Sequence, residues 1–142
     1  MSGGVVYFGS FDQKLYALNA STGALLWSYT TDDWIVDSPA VANGMVYIGS
    51  LDGSIYALKA STGAFQWGHH TSAQIWSSPA VANGVVYFSS QDGKAYALNS
   101  STGAVLWTYP IGHSDGPASP AVANGMVYFT TGINTIYAFG PN

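Results

Sequence analysis

The sequence predicts an all-β fold, a β-propeller built from four-stranded antiparallel blades. Three observations favour this fold: a unit repeated every 40 or 41 residues, turn signals at fixed places in each unit, and short apolar runs between the turns. The clearest unit spans residues 38–67 and recurs at 78–107. Units of this length with four short strands are typical of propeller blades, because each must stack on its neighbours to bury both faces.

The turn signals recur in phase. Asn-Gly at 43–44, 83–84 and 124–125 predicts two-residue type I′ hairpins, since both central positions need positive φ. Asp-Gly at 52–53 and 92–93 marks a second turn, and Ser-Thr-Gly at 21–23, 61–63 and 101–103 a third. No segment keeps the 3.6-residue period of a helix.

Each complete unit therefore has four strands, which we name a, b, c and d in chain order. The units span approximately 1–33, 34–73, 74–113 and 114–142 of a single propeller domain, and their strands are bcd, abcd, abcd and abc. The first and last blades are thus partial. A β-helix solenoid is the competing architecture, but it would need shorter rungs.

Neither face of the b and c strands is convincingly polar, so both faces must be covered. Side chains alternate along a strand, and we expect them to divide between two faces. One face would carry Val46, Ile48, Ile55 and Ala57, and the other Tyr47, Tyr56 and Leu58.

The run ALNASTG at 17–23, followed by Trp27, resembles the PQQ-like (pyrroloquinoline quinone) propeller repeat, whose signature is roughly A-x-D-x-x-T-G-x-x-x-W. The pattern recurs at 57–67 and 97–107, but Asn19, Lys59 and Asn99 stand where the signature has Asp. The resemblance covers essentially the whole chain and implies that the Trp of one blade docks on the Gly-containing turn of the next. The implied docking residues are Gly23, Trp27, Gly63, Trp67, Gly103 and Trp107.

The same resemblance implies rings of seven or eight blades. Four blades would be half of an eight-blade ring, and we expect two chains to complete it as a homodimer. An open half-ring would expose apolar blade faces that tend to find a partner or aggregate. A closed four-blade monomer, a part of a longer repeat protein and a recently amplified or engineered array are the alternatives.

Composition excludes several classes of partner. Only 7% of the residues are charged, with seven Asp against three Lys, no Arg or Glu, and a net charge of -4. Such a chain could not neutralise a row of phosphates, so we expect no nucleic acid partner. No apolar run approaches the length of a membrane-spanning helix, and no basic amphipathic segment suggests a membrane surface. The apolar, Lys-poor, Cys-free composition favours an extracytoplasmic location.

The candidate binding face is the edge formed by the b–c turns and the d–a connections, because we expect all seven Asp residues there. Variable loops on a rigid scaffold commonly carry binding residues. The candidate ligand-binding residues are Asp32, Asp33, Trp34, Asp37, Trp76, His113 and Asp115. Trp34 and Trp76 are interpreted as occupying equivalent places, where they could stack on a planar ligand or cap the propeller core.

For the acidic residues, ordinary turn chemistry and a solvated loop compete with a calcium site, and no calcium-binding loop motif is present. Adjacent His69 and His70 should face opposite ways along a strand, so we expect no metal site. The quinone-dependent dehydrogenases that share the repeat use, by resemblance, calcium, an Asp base and Arg contacts. None of those positions can be assigned here, so we expect neither PQQ nor calcium as a cofactor.

The sequence therefore predicts a non-enzymatic binding or scaffold module that acts through its acidic, aromatic loop face. The alternatives are a fragment of a quinoprotein dehydrogenase, and a piece of a sensor or of a propeller like the bacterial outer-membrane assembly lipoprotein of this repeat family. Fold alone cannot name the ligand.

Overall fold

The computed structural model describes residues 3–113, 118–131 and 134–140, and these contain fourteen β-strands and no helix. The strands are β1 (Val5–Gly9), β2 (Lys14–Asn19), β3 (Leu25–Thr30), β4 (Ala40–Ala42), β5 (Met45–Gly49), β6 (Ser54–Lys59), β7 (Phe65–His70), β8 (Ala80–Ala82), β9 (Val85–Ser90), β10 (Lys94–Asn99), β11 (Val105–Pro110), β12 (Ala121–Ala123), β13 (Met126–Thr130) and β14 (Ile136–Phe139).

The strands form four antiparallel sheets, which we call blades 1 to 4. Blade 1 has the order β1-β2-β3, blade 2 β4-β5-β6-β7, blade 3 β8-β9-β10-β11 and blade 4 β12-β13-β14. The all-β prediction, with two complete blades between two partial ones, is confirmed.

The predicted turns have the backbone geometry that their residues favour. In blade 2, Asn43 and Gly44 have φ values of 51° and 75°, as a type I′ hairpin requires. At the b–c turn of that blade, Gly53 has φ 88°. The corresponding residue of blade 1 is Gln13, which adopts φ 71° although it is not glycine.

Three apolar clusters hold the blades together, one between each pair of successive blades. Between blades 2 and 3, Tyr47 and Ile55 pack with Val86 and Phe88. The described residues contain no cluster that joins blade 4 to blade 1, so they do not form a closed four-blade disc.

The predicted division of the blade 2 faces is partly wrong. Val46, Ile48 and Leu58 face blade 1, whereas Ile55 and Ala57 join Tyr47 on the opposite face, towards blade 3. The reason is the register of β5 against β6, which places Tyr47 opposite Ala57 and Val46 opposite Leu58. Directly opposite residues share a face, so the register sets the grouping.

The outer-strand tryptophans lie across the boundaries between blades. Trp27 of blade 1 donates its indole N–H to the carbonyl oxygen of Ala60 at 2.9 Å, and its ring covers Gly63 in the turn of blade 2. Trp67 of blade 2 makes the same contacts with Ser100 and Gly103 of blade 3. A Cβ atom on Gly63 or Gly103 would lie 2.6 Å from the indole ring, so the docking requires glycine.

Candidate functional site

The b–c turns and the d–a connections lie together at one edge of the blades, which we call the acidic rim. The Leu51 N–H of the blade 2 turn donates to the Trp34 carbonyl oxygen of the preceding connection at 2.9 Å. One blade further on, the Gln91 N–H donates to the Gln74 carbonyl oxygen at 2.9 Å. These bonds position each connection against the turn of the following blade.

The three Asp residues of the b–c turns are held by tyrosines four residues later. Tyr56 donates its hydroxyl hydrogen to Asp52 Oδ2 at 2.7 Å, and Tyr16 and Tyr96 pair in the same way with Asp12 and Asp92. The hydrogen bond from Tyr16 lowers the pKa of Asp12. Sequence analysis missed this role, although the spacing D-x-x-x-Y recurs in all three turns. These carboxylates therefore stabilise the b–c turns of the rim.

An exposed aromatic pair lies on the rim between blades 1 and 2. The rings of Phe11 and Trp34 stack with centroids 5.1 Å apart and planes 21° apart, and they are 66% and 48% exposed. Phe11 stands in the b–c turn where the later blades have Leu51 and Gln91. It was not predicted as a site residue, although an exposed aromatic residue at a turn position was a signal for it.

Asp32 and Asp33 lie beside this aromatic pair. The backbone N–H of Asp32 donates to Asp52 Oδ2 at 3.1 Å, which joins the connection to the blade 2 turn. Asp33 Oδ1 accepts the Trp34 N–H at 2.7 Å, and its carbonyl oxygen accepts the Thr31 hydroxyl. The rim thus presents two aromatic rings bordered by carboxylates, an arrangement suited to a positively charged or planar group.

Asp37 lies in a d–a connection, as expected, but its side chain is buried and not exposed on the rim. It is only 9% exposed, and its Oδ2 accepts the Gly49 N–H at 2.9 Å. Its Oδ1 has no hydrogen-bond partner among the described residues. Burial raises the pKa of Asp37, and the bond from Gly49 only partly offsets this effect.

The remaining predicted site residues lie on other connections. Trp76 donates its indole N–H to Gln74 Oε1 at 3.0 Å, and His113 Nδ1 lies 3.0 Å from the Gln91 carbonyl oxygen. The expected equivalence of Trp34 and Trp76 is wrong, because the carbonyl contacts above pair Trp34 with Gln74 instead. Asp115 lies outside the described residues.

The histidines do not gather into a metal site. His69 packs against Tyr96, with ring centroids 5.9 Å apart, whereas His70 Nδ1 lies 3.1 Å from the Ser54 hydroxyl. Burial and the nearby His70 lower the pKa of His69. Across residues 3–113, 118–131 and 134–140, no group of three or more His, Cys, Asp or Glu side chains could hold a metal ion.

The family to which these features belong is shown by comparison with known sequences. The family model described as outer membrane protein assembly factor BamB matches residues 1–141. The chain belongs to this PQQ-like repeat family. No curated protein matches the sequence significantly.

Solved structures show the same fold. BamB from Moraxella catarrhalis is 25% identical with a TM-score of 0.85, over 96% of this chain and 46% of that one. The computationally designed Ika4 protein is 18% identical with a TM-score of 0.88, over 100% of this chain and 88% of that one. A europium-containing methanol dehydrogenase is 26% identical with a TM-score of 0.69, over 82% of this chain and 24% of that one.

The chain spans just under half of the BamB chain and about a quarter of the dehydrogenase. A search of the described residues for a helix long and apolar enough to cross a membrane finds none.

Proposed function

We propose that this chain is a non-enzymatic binding or scaffold module that contacts a partner through its acidic rim. The observation that supports this most directly is the stacked Phe11–Trp34 pair, exposed beside Asp32 and Asp33. Two large aromatic rings held open to solvent by a rigid sheet framework are typical of a recognition surface.

The preferred partner is a positively charged polypeptide segment. The chain carries a net charge of -4, and the rim combines carboxylates with aromatic faces, both of which attract Lys and Arg side chains. The family's description as an outer membrane assembly factor supports an extracytoplasmic module and makes a role in protein assembly compatible with this proposal.

The binding test uses a fluorescein-labelled ten-lysine peptide, with a ten-serine peptide as the uncharged control. Fluorescence anisotropy should show binding of the lysine peptide that weakens as salt is added. Trp34→Ala and Phe11→Ala should each weaken it about 3- to 10-fold through loss of the aromatic contact. Phe65→Ala removes an exposed aromatic side chain on the outer strand β7 and should leave binding unchanged.

Equal affinity for the wild type and Trp34→Ala would show that only net charge attracts the peptide, and the proposed site would be wrong. Failure of the lysine peptide to bind at low salt would also contradict the proposal. A circular dichroism spectrum of each variant separates a lost contact from a lost fold.

The alternative function is a part of a quinoprotein dehydrogenase, which the likeness to the methanol dehydrogenase supports. The residues present do not fit a quinone–calcium centre, because the sequence has no Arg or Glu and the described residues offer no metal-ligating group of three. Dye reduction after addition of PQQ and calcium would favour the alternative over the binding module.

A further inference from the structure

The two end blades of the array each leave one apolar face open to solvent. On blade 4, Ile136 is 70% exposed and Tyr128 is 37% exposed, whereas their blade 2 equivalents, Ile55 and Tyr47, are buried. On blade 1, Phe8 is 39% exposed, while the equivalent positions in blades 2 and 3 are fully buried. We call these surfaces the blade 4 face and the blade 1 face.

These two faces are the two halves of an interface that the chain already makes internally. In the cluster between blades 2 and 3, Tyr47 and Ile55 come from the face that points to the next blade, and Val86 and Phe88 from the face that points back. The blade 4 face carries the equivalents of the first pair, and the blade 1 face carries Val6 and Phe8 as equivalents of the second. Because the two faces carry the same kinds of residue as the two sides of the interface between blades 2 and 3, they should fit each other.

The blade 1 face is preformed. The Phe8 and Tyr16 rings stack with centroids 5.4 Å apart and planes 22° apart, much as Phe88 and Tyr96 stack at 5.0 Å and 2° inside the interface between blades 2 and 3. Asp12 holds the Tyr16 hydroxyl as Asp92 holds that of Tyr96. An arriving blade would meet a surface that needs little rearrangement.

We propose that a second copy of this chain covers both faces, with the blade 4 face of each copy packed on the blade 1 face of the other. A head-to-tail contact of this kind closes into a ring when the rotation permits, and otherwise forms open filaments. For this chain, we expect two copies to close one ring. The four blades superpose on BamB with a TM-score of 0.85 yet occupy only 46% of it, so a ring of that curvature has room for two such arrays.

The step from blade 2 to blade 3 and the step from blade 3 to blade 4 share the same contact, as a closed ring of equivalent blades requires. The Ser38 N–H donates to the Ser78 hydroxyl oxygen at 2.9 Å, and the Ser78 N–H donates to the Ser119 hydroxyl oxygen at 2.9 Å. The positions that form the apolar cluster between blades 2 and 3 carry no charged side chain on either open face, and Asp12 lies beside the blade 1 face in the b–c turn. The net negative charge of each copy, carried largely at the rim, therefore does not oppose the contact directly.

The proposal assigns a specific hydrogen bond to the new contact. Tyr7 donates its hydroxyl hydrogen to the Ala60 carbonyl oxygen at 3.1 Å, and Tyr47 donates to that of Ser100 at 3.0 Å. Tyr128 is the blade 4 equivalent of these tyrosines, and Ala20 is the blade 1 equivalent of Ala60 and Ser100. In the dimer, Tyr128 would therefore donate to the Ala20 carbonyl oxygen of the second copy. An internal contact is thus the template for one between chains.

The contact between copies is smaller than the internal ones. Each internal interface between blades 1, 2 and 3 includes a docked tryptophan on a glycine turn, but blade 4 has no outer strand among its described residues. Apart from its two chain neighbours, no described residue has an atom within 4 Å of a Cβ built on Gly23. We therefore expect a dimer that dissociates on dilution rather than a permanent one.

The first experiment is light scattering coupled to size exclusion across a dilution series. The wild type should have the mass of two chains at high concentration and approach the mass of one chain on dilution. Ile136→Asp places a charge on the blade 4 face and should give one chain throughout. Tyr128→Phe removes only the hydroxyl group, but it deletes two equivalent hydrogen bonds in each closed dimer and should raise the dimer dissociation constant about 5- to 100-fold.

The matched control is Phe65→Asp, which puts the same charge on an exposed apolar position of blade 2 outside both faces. It should dimerise as the wild type does. A wild-type mass of one chain at every concentration would overturn the proposal, and so would unlimited growth beyond two chains. Dimerisation of folded Ile136→Asp with wild-type affinity would show that another surface is used.

Cross-linking tests the head-to-tail arrangement directly, because the chain has no cysteine. Chains carrying Ile136→Cys are mixed with chains carrying Phe8→Cys and treated with a short bis-maleimide. The mixture should give a covalent dimer that contains one chain of each kind, and neither variant alone should give one. Efficient cross-linking of Ile136→Cys to itself would indicate a symmetric contact and overturn the proposal.

Discussion

At the scale of single residues, Asp37 and Gly49 of blade 2 stand at the positions that Ser77 and Ser89 occupy in blade 3. The Ser77 hydroxyl accepts the Ser89 N–H and donates to the Ser89 carbonyl oxygen, both at 2.9 Å. In blade 2, a Cβ atom on Gly49 would lie 2.5 Å from Ile75 Cγ2 and 2.9 Å from Asp37 Oδ2, so the isoleucine and the carboxyl group together require glycine there. The serine pair satisfies its polar atoms, whereas Asp37 keeps one oxygen without a described partner.

The buried Asp37 carboxyl group should make stability depend on pH. Its pKa is raised above the ordinary value of 3.8, so the folded state holds the proton more tightly than the unfolded state. The resulting stabilisation is full below pH 3.8 and is lost as the pH rises through the raised folded pKa. Asp37→Asn should therefore gain free energy of unfolding relative to the wild type as the pH rises from 3.8 towards 7, measured by urea denaturation.

Asp32→Asn is the control for this measurement, because it removes an equal charge from an exposed part of the rim. Its stability relative to the wild type should change much less between the two pH values. If Asp37→Asn and Asp32→Asn behave alike, the pH dependence comes from net charge and not from burial of Asp37.

The burial of Asp37 could not be predicted from its neighbours in sequence. The connection has the composition of a polar loop, but the carboxyl group packs against the backbone of Gly49, twelve residues later, and accepts its N–H. The Phe11–Trp34 stack was missed for a similar reason, since it joins a turn to a connection more than twenty residues away. Asn43 and Gly44 were predicted correctly because their φ preference is local.

At the scale of elements, the contact between an outer strand and the next turn sets how blades stack. Trp67 belongs to β7 and its ring lies on Gly103, which follows β10. Burying an indole ring contributes strongly, and its truncation to alanine in a core costs about 3–5 kcal/mol. The glycine matters as much, because any side chain there would separate the ring from the backbone.

Gly103→Ala should therefore be much more destabilising than Gly23→Ala. Both residues have positive φ, 75° and 72°, so both substitutions carry the backbone cost of about 1–2 kcal/mol. Only Gly103 faces an indole ring, and the steric conflict should add about 1–3 kcal/mol. Urea denaturation of the two variants measures the difference.

A double-mutant cycle identifies the origin of that difference. In the Trp67→Ala background the extra cost of Gly103→Ala should largely disappear, because the ring that it would strike is gone. An unchanged cost in that background would place the conflict elsewhere in the turn.

The register of neighbouring strands could not be predicted from the pattern of apolar residues. The turn between β5 and β6 spans residues 50–53, and this length pairs Gly49 with Ile55 and Tyr47 with Ala57. Alternation alone gives the two faces of each strand but not how the faces of two strands combine. The grouping of Ile55 with Val46 failed because the turn length decides it.

At the scale of the whole molecule, the array resembles other repeat proteins in which each unit contacts only its neighbours. Among the described residues, blades 2 and 3 are packed on both faces, whereas blades 1 and 4 are each packed on one. Stability in such arrays is approximately a sum of unit and nearest-neighbour terms. The repeat period was enough to predict this arrangement, because every unit carries the same turns and the same apolar runs.

Hydrogen exchange should reveal this gradient. In dilute protein, the amides of β5, β6, β9 and β10 should exchange most slowly, because opening either middle blade breaks two interfaces. Amides of β1 and β14 should exchange faster, since each belongs to a blade with one open face. Mass spectrometry of peptic fragments measures each blade separately, and uniform protection in dilute protein would contradict nearest-neighbour stability. If a second copy covers the end blades, protection of β1 and β14 should rise with concentration in the wild type and in Phe65→Asp, but not in Ile136→Asp.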